Sequence, residues 1–272
     1  MGIMEAVKKG FAETSKLMNL VLVFFAFNVV ISLISLPMTN PANAGNPGIM
    51  AVSIISSLLF FLVFIFLQGG AMGTVKDRIK TGSASLAQFT AYGQKFYFRI
   101  LGLLLIYVLM AVGIILVLAL ISAGVLLLGD NVATRSLVAV IVTIASAGIV
   151  TLLVYPVYSI VVEDIGSVQA LRKGILVARN NFGKTFGLFV VLLLISLVIS
   201  LVIGFFTGLV TIPLGGQAGR VVLAIVNAAV QSYIPIVMMV AFMSFYLFLI
   251  EEKGSAQPEP QAGPGDSPNS EE

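Results

Sequence analysis

Residues 100–128 read ILGLLLIYVLMAVGIILVLALISAGVLLL, an apolar run without a single charged side chain. A helix needs about 20 consecutive apolar residues to cross a bilayer, so this run alone predicts a transmembrane helix. The rest of the chain agrees, since 59% of its 272 residues are hydrophobic and 10% are charged. Soluble domains average roughly 45–50% hydrophobic residues and 25% charged residues. The composition therefore predicts an integral membrane protein.

Five further apolar runs lie on either side of the first. Because lipid cannot satisfy backbone polar groups, all six are predicted to be helices, and their continuous apolar character excludes the alternating strands of a barrel. The predicted fold is all-α, a bundle of six transmembrane helices in three hairpins over residues 1–253. The six predicted spans are residues 20–36, 49–74, 100–128, 137–162, 186–212 and 221–250.

A short basic motif indicates an internal repeat. Residues 2–10 read GIMEAVKKG, residues 166–174 read GSVQALRKG, and a weaker copy begins at Gly82. Gly-Ser pairs follow the charged ends of the even-numbered spans. The Gly is expected to leave the span in a left-handed turn, and the Ser to cap the next helix. The predicted repeat units are residues 2–81, 82–165 and 166–253.

Each unit is predicted to open with an amphipathic helix at the membrane surface. In residues 166–184 the apolar side chains recur at spacings of three and four, which makes one stripe; they are Val168, Leu171, Ile175, Ala178 and Phe182. A basic amphipathic helix beside a span lies among the headgroups. The candidate contacts for anionic lipid headgroups or a protein partner are Lys8, Lys9, Lys95, Arg99, Arg172, Lys173, Arg179 and Lys184. Passive basic loops stay open as the alternative.

The distribution of basic residues predicts the orientation. Of the 15 Lys and Arg residues, Arg135 and Arg220 alone fall in the loops that follow odd-numbered spans. The positive-inside rule therefore predicts a multi-pass protein of the cell membrane with both termini in the cytoplasm. Residues 42–44 resemble a signal cleavage site, but the leader is long and contains acidic residues, so we expect the first span to be retained.

The predicted spans carry no charged residue at membrane depth, which removes the usual signature of an ion or proton pathway. Among their polar residues, Asn227 and Gln231 share one helix face because they are four apart. They form a candidate intramembrane polar cluster, which could join helices or line a cavity. Pro156 and Pro235 are expected to interrupt the helix hydrogen bonds of the fourth and sixth spans.

Catalytic chemistry finds little support. The chain has no Cys and no His, so thiol chemistry, imidazole bases and Ser–His pairs are excluded. The adjacent acidic pairs at 163–164 and 251–252 are too small for a metal site. We expect no enzyme activity, no cofactor and no nucleic-acid partner. Residues 254–272, rich in Pro and acidic residues, are predicted to be a disordered cytoplasmic tail.

The segment from residue 163 to residue 184 carries a resemblance. An acidic residue ends a span, and a Gly followed by an Ala-Leu-Arg-Lys helix leads into the next; the matching residues are Glu163, Gly166, Ala170, Leu171, Arg172 and Lys173. The pattern resembles the six-span membrane domain associated with bacterial glycerophosphoryl diester phosphodiesterases and related integral membrane proteins. The resemblance covers the membrane part and implies no catalytic domain.

Three functions follow as hypotheses. The first is a non-catalytic membrane protein that binds or organises lipids or a partner protein, or a second copy of itself, at the cytoplasmic face. The alternative is a transporter or channel for a small solute, motivated by the repeat and the two prolines. The weakest is an intramembrane enzyme that uses Glu163 or Asp164.

Overall fold

The computed structural model describes residues 1–35, 46–127, 129, 131–214 and 216–254, and in these residues the chain is helical without any strand. Two short 3₁₀ turns, Ser15–Leu17 and Leu86–Gln88, join α1 to α2 and lead into α4. The nine α-helices of the described residues are α1 (Ile3–Thr14), α2 (Met18–Ser35), α3 (Pro47–Thr81), α4 (Phe89–Leu126), α5 (Val132–Leu153), α6 (Pro156–Glu163), α7 (Ser167–Asn180), α8 (Phe182–Leu214) and α9 (Gly216–Gly254).

Six helical segments are long and apolar enough to cross a membrane, as the sequence predicts. They are Ile3–Ser35, Pro47–Thr81, Leu86–Leu126, Val132–Glu163, Phe182–Val210 and Val221–Glu252. The all-α class and the multi-pass character of the protein are therefore confirmed. The predicted cleavage-like site at 42–44 and the tail beyond residue 254 lie outside the described residues.

Helix ends follow local chemistry. Asn46 caps α3, since its side chain accepts hydrogen bonds from the backbone N–H groups of Gly48 at 3.0 Å and Ile49 at 3.4 Å. Asn131 caps α5 in the same way through the N–H of Thr134 at 3.0 Å. Asparagine side chains are preferred at this position because they satisfy N–H groups that the helix leaves free.

The two prolines behave differently. Pro156 begins α6 after a break at the end of α5, whereas Pro235 lies inside α9, which continues through it. The expected left-handed turn occurs at Gly82, where φ is 74°. At the second Gly-Ser pair the left-handed residue is instead Asp164, with φ 58°, and Gly166 is extended.

Buried side chains concentrate at one end of the bundle, which we call the charged end. It contains α1, α6, α7, the last turns of α3 and α9 and the first turns of α4 and α8. In the most apolar 18-residue stretch of α9, 67% of the residues are buried, whereas in the corresponding stretch of α4 the share is 0%. The opposite part, the far half, exposes apolar side chains such as Leu109 and Leu120, both 74% exposed. Helix α9 is therefore the central element.

Three close helix contacts, which we call the ring contacts, lie within the charged end. Helix α1 packs on α9, α4 packs on α3, and α7 packs on α6. Each contact contains a glycine of the packing helix. A Cβ added at Gly10 would lie 2.9 Å from the Val237 carbonyl oxygen, and a Cβ added at Gly93 would lie 2.7 Å from the Phe66 ring. A Cβ added at Gly174 would lie 2.3 Å from the Pro156 nitrogen. Small residues allow this close approach of backbones in membranes.

The segment after Gly82 differs from the predicted separate amphipathic helix. From Phe89 onward it is the first part of α4 and continues into the span without interruption. Its inner face contains Phe89, Gly93 and Phe96, which pack on the glycines of α3. Gly69 and Gly73, small residues four apart in the sequence, therefore form a packing face on α3. By contrast, a Cβ at Gly204 or Gly208, which are also four apart, would meet no described atom of another helix within 4 Å.

Candidate membrane-surface site

Helix α7 has a buried face of small residues and an exposed face of mixed character. Ala170, Gly174 and Ala178 are buried against the bundle. This face is displaced around the helix from the predicted stripe, because close packing selects small residues and not the largest apolar ones. Leu171 and Ile175 of that stripe are half-buried, and Val168 is 55% exposed.

The outward face of α7 alternates apolar and basic side chains. Val168, Arg172, Leu176 and Arg179 are all exposed, and their spacings of four, four and three place them on one side of the helix. Exposed apolar side chains interleaved with arginines are typical of a helix at a membrane interface. We refer to these four residues as the α7 outer face.

Helix α1 repeats this division at the corresponding positions. Ala6 is fully buried, as is Ala170, while Met4 and Lys8 are exposed, as are Val168 and Arg172. The larger apolar side chains of α1 also face the bundle, since Val7 is buried and Ile3 and Phe11 are half-buried. The two copies of the motif therefore present the same residue types inward and outward.

Four of the eight predicted contact residues are engaged in ion pairs within the chain. Lys95 lies 2.8 Å from Asp164, and Arg99 pairs with the other oxygen of the same carboxylate. Lys173 pairs with Glu163, and Lys184 lies 3.9 Å from Glu252. These four cations hold helices together, which sequence spacing could not show because the carboxylates come from other elements.

Asp164 organises the junction between α4, α6 and α7. Its left-handed backbone directs the chain from α6 towards α7, and Ser167 then donates a hydrogen bond to the Arg99 carbonyl oxygen at 2.6 Å. Hydrogen bonds from Lys95 and Arg99 lower the pKa of the Asp164 carboxyl. Because Asp tolerates a left-handed conformation better than most residues, this position combines a turn with a charge anchor.

The other four predicted contact residues have no ion-pair partner within 4.0 Å in the described part of the chain. They are Lys8, Lys9, Arg172 and Arg179, of which Lys9 is half-buried and the others are exposed. Cations without an internal partner keep their full charge for an external one. Lys8, Arg172 and Arg179 are therefore the basic residues best placed to meet a ligand at the molecular surface.

Sequence reasoning missed a polar network inside the charged end. The Tyr246 hydroxyl donates to Glu163, and it lies 2.8 Å from the Ser159 hydroxyl. Nearby, the Thr185 hydroxyl donates to the Tyr155 oxygen at 3.3 Å. The two tyrosines of the Tyr-Pro-Val-Tyr sequence at 155–158 could have indicated a polar network. The part played by Tyr246 could not be predicted from the sequence, because Tyr246 lies 83 residues beyond Glu163.

The candidate intramembrane cluster is not in the core. Asn227 and Gln231 are both exposed on α9, while their neighbour Ser232 is buried and accepts a 2.9 Å hydrogen bond from Asn28 of α2. Interhelical hydrogen bonding is thus provided by a different pair. A role for Asn227 and Gln231 in solute transport stays a prediction.

Comparisons with known proteins give one match. The family model described as "Domain of unknown function (DUF7847)" matches residues 1–251. No curated protein and no solved structure matches the chain significantly.

Proposed function

We propose that this chain, which belongs to the family of the domain of unknown function DUF7847, has a non-catalytic role, the binding of anionic lipid headgroups by its charged end. In this proposal the protein lies in the cell membrane with both termini in the cytoplasm. The observation that carries the proposal is the α7 outer face, where exposed arginines alternate with exposed apolar side chains.

The chemistry of the α7 outer face suits a bilayer surface. Val168 and Leu176 gain from contact with acyl chains, while the guanidinium groups of Arg172 and Arg179 bind phosphate oxygens in a bidentate manner. Each basic residue near an anionic leaflet contributes about 1 kcal/mol. A solvated helix would place polar residues at 168 and 176, so the apolar pair favours lipid over water.

The lipid content of the purified protein tests the proposal. The full chain is reconstituted into nanodiscs of mixed phosphatidylglycerol and phosphatidylcholine, extracted again, and its retained lipids are counted by mass spectrometry. The double variant Arg172→Gln/Arg179→Gln is expected to retain about tenfold less phosphatidylglycerol. Arg135→Gln is the control, since Arg135 lies outside the charged end and is exposed.

Unchanged phosphatidylglycerol retention in the double variant would contradict the proposal. If a protein co-purified from native membranes with the wild type and was lost with the double variant while lipid retention stayed equal, the α7 outer face would be a protein-docking surface instead. The two outcomes separate the lipid from the partner protein.

The threefold repeat is also part of the proposal. It is supported by the ring contacts, because each of them contains two buried residues that lie four apart on the packing helix. The three pairs are Ala6 and Gly10, Phe89 and Gly93, and Ala170 and Gly174. Each pair packs on the last helix of another unit. The similarity to the membrane domain of glycerophosphoryl diester phosphodiesterases stays a prediction that this arrangement does not test.

A further inference from the structure

A groove opens between the consecutive helices α2 and α3. It forms because the two helices pack on different neighbours, α2 mainly on α9 and α3 mainly on α4. Its volume is about 350 Å³, which lies in the range of sites for small molecules. We call it the α2–α3 groove, and the lining residues that matter here are Phe27, Asn28, Ser56, Ser57, Phe60 and Phe64.

The α2–α3 groove lies far from the charged residues of its two helices. None of its lining residues is charged, and no Asp, Glu, Lys or Arg occurs in the sequence between Lys16 and Lys76. At about 1.5 Å per helical residue, Ser57 is about 28 Å from Lys76 and about 15 Å from Pro47, where α3 begins. A charged ligand would be desolvated there without a partner, so the groove favours a neutral one.

Asn28 presents an unpaired hydrogen-bond acceptor to the groove. Its side-chain nitrogen donates to Ser232 at 2.9 Å, and Ser232 donates to the Ala228 carbonyl oxygen at 2.5 Å. Because Ser232 has a single proton to donate, the nitrogen of Asn28 is the end that faces Ser232. The side-chain oxygen of Asn28 accepts no hydrogen bond from the described residues. It is also accessible, since the fully buried unpaired atoms of those residues belong to Thr14 and Ser244.

Ser56 and Ser57 add two hydroxyl groups to the same groove. Neither forms a hydrogen bond within the described part of the chain. Ser35, which also lines the groove, instead donates to the Ile31 carbonyl oxygen at 2.7 Å, the usual solution for a serine in a membrane helix. Ser56 is half-buried and Ser57 is exposed, so both hydroxyls are available to a molecule in the groove.

The walls of the groove are aromatic. The ring centroid of Phe27 lies 6.1 Å from that of Phe60 in an edge-to-face contact and 6.4 Å from that of Phe64 in a stacked one. Aromatic rings pack well on other rings in these geometries, so a flat ring suits the groove. A lipid acyl chain would also fill the volume, but it would leave the Asn28 oxygen without a donor in hydrocarbon. The polar atoms therefore favour a ring with hydroxyl groups over a plain acyl chain.

We propose that the α2–α3 groove binds a neutral aromatic ring that carries hydroxyl groups and an apolar chain, the chemistry of a lipid-soluble quinol. One ring hydroxyl donates to the side-chain oxygen of Asn28, and Ser56 and Ser57 bond to the other oxygen atoms of the ring. The apolar chain leaves the groove past Phe61, which lines it and is exposed. This site is independent of the α7 outer face, which binds anionic headgroups by charge.

A quinol and its oxidised form test the proposal as a matched pair of ligands. The purified full chain is titrated in detergent without oxygen with decylubiquinol or decylubiquinone, which differ in whether their ring oxygens can donate a hydrogen bond. The wild type is expected to bind the quinol about fivefold or more tightly than the quinone, because the quinone leaves the Asn28 oxygen unpaired. The rise of the unfolding temperature with ligand concentration gives both affinities.

The double variant Ser56→Ala/Ser57→Ala tests the other wall of the groove. It is expected to bind decylubiquinol about tenfold more weakly. Its unfolding temperature without ligand should equal that of the wild type, because neither hydroxyl has a partner in the described part of the chain. Ser53→Ala is the matched control, since Ser53 lies on the same helix, is half-buried and does not line the groove.

Asn28→Leu tests the acceptor. This variant should bind the quinol and the quinone with equal affinity, a result that a purely structural role of Asn28 would not produce. Ser232→Ala removes the hydrogen bond between Asn28 and Ser232 but leaves the Asn28 oxygen in place. It should therefore keep the preference for the quinol.

Three results would overturn the proposal. They are equal affinity of the wild type for the two ligands, unchanged quinol binding by the double serine variant, and displacement of the quinol by an equal concentration of decane. The last result would make the groove a site for plain acyl chains. None of these measurements involves the phosphatidylglycerol retention of the α7 variants, so failure here and failure of the proposed function are distinguishable.

Discussion

The charged end and the far half of this protein share the helices α3, α4, α8 and α9 but are packed in opposite ways. In the charged end, small residues bring backbones together and ion pairs connect different helices. In the far half, leucines and valines of the same helices are exposed. Hydropathy alone does not distinguish the two regions, since apolar residues satisfy both lipid and protein interior. Small residues and charged partners distinguish them.

The largest expected effect comes from filling a ring glycine. In Gly174→Leu the new Cβ would lie 2.3 Å from the nitrogen and 2.5 Å from the Cα of Pro156. Because backbone atoms cannot move aside, the variant should lose about 3 kcal/mol or more of stability. Unfolding in detergent, followed by circular dichroism, measures this loss.

The matched control for that variant is Gly113→Leu on α4, where a Cβ would meet nothing within 4 Å. It should unfold like the wild type. Equal losses for the two variants would remove the contrast between the charged end and the far half.

A cavity in the core should have the next largest effect. Ile236 of α9 is fully buried, whereas Leu120 of α4 is 74% exposed. Ile236→Ala is expected to cost about 2 kcal/mol, the lower end of the range for such truncations, because an unfolded helix that stays in lipid loses less transfer energy. Leu120→Ala should change the unfolding midpoint little, and the same detergent titration compares them.

The polar network predicts a smaller loss. Tyr246→Phe removes the hydroxyl that contacts Ser159 and Glu163, and the expected cost is about 1 kcal/mol. Tyr233→Phe, also on α9 but half-buried, serves as the control. A thermal shift of Tyr246→Phe no larger than that of Tyr233→Phe would show that the network contributes nothing to stability.

The smallest predicted effect depends on pH. Because the pKa of Asp164 is lowered in the folded protein by Lys95 and then Arg99, its stabilising contribution is present above the unfolded pKa of about 3.9. It should disappear as the pH falls through the folded value. The side chain is about half exposed, so we expect well under 1 kcal/mol.

Asp164→Asn isolates the charge in that experiment, since Asn also adopts the left-handed conformation. The variant should lose part of the stability difference between about pH 6 and about pH 3 that the wild type shows. Identical pH profiles of the unfolding temperature for both proteins would contradict a role for this carboxylate.

Several elements were predictable from local sequence. The six helices follow from apolar runs longer than a bilayer requires, and Gly69 and Gly73 were recognisable as a close-packing face. The break at Pro156 and the left-handed turn at Gly82 follow from single-residue conformational preferences. Each of these features is decided within one or two helical turns of the residue concerned.

The partners of the helices were not predictable in this way. The pairing of Asp164 with Lys95 and Arg99, and of Tyr246 with Glu163, joins residues more than 60 positions apart. Single-sequence periodicity reports which side of a helix is apolar, but not whether that side meets lipid or another helix. For this reason periodicity did not predict the buried face of α7. That face contains Ala170 and Gly174, small residues that contribute little to an apolar stripe.

The packing of α1 on α9 has a consequence for biosynthesis. Gly10 emerges from the ribosome long before Val237, its neighbour in the finished protein, and at about 5–20 residues per second the interval is on the order of ten seconds or more. During that time the residues of α1 that pack on α9 lack that partner. Helix α1 can dock on α9 only after α9 has been inserted, so this contact forms late in biosynthesis.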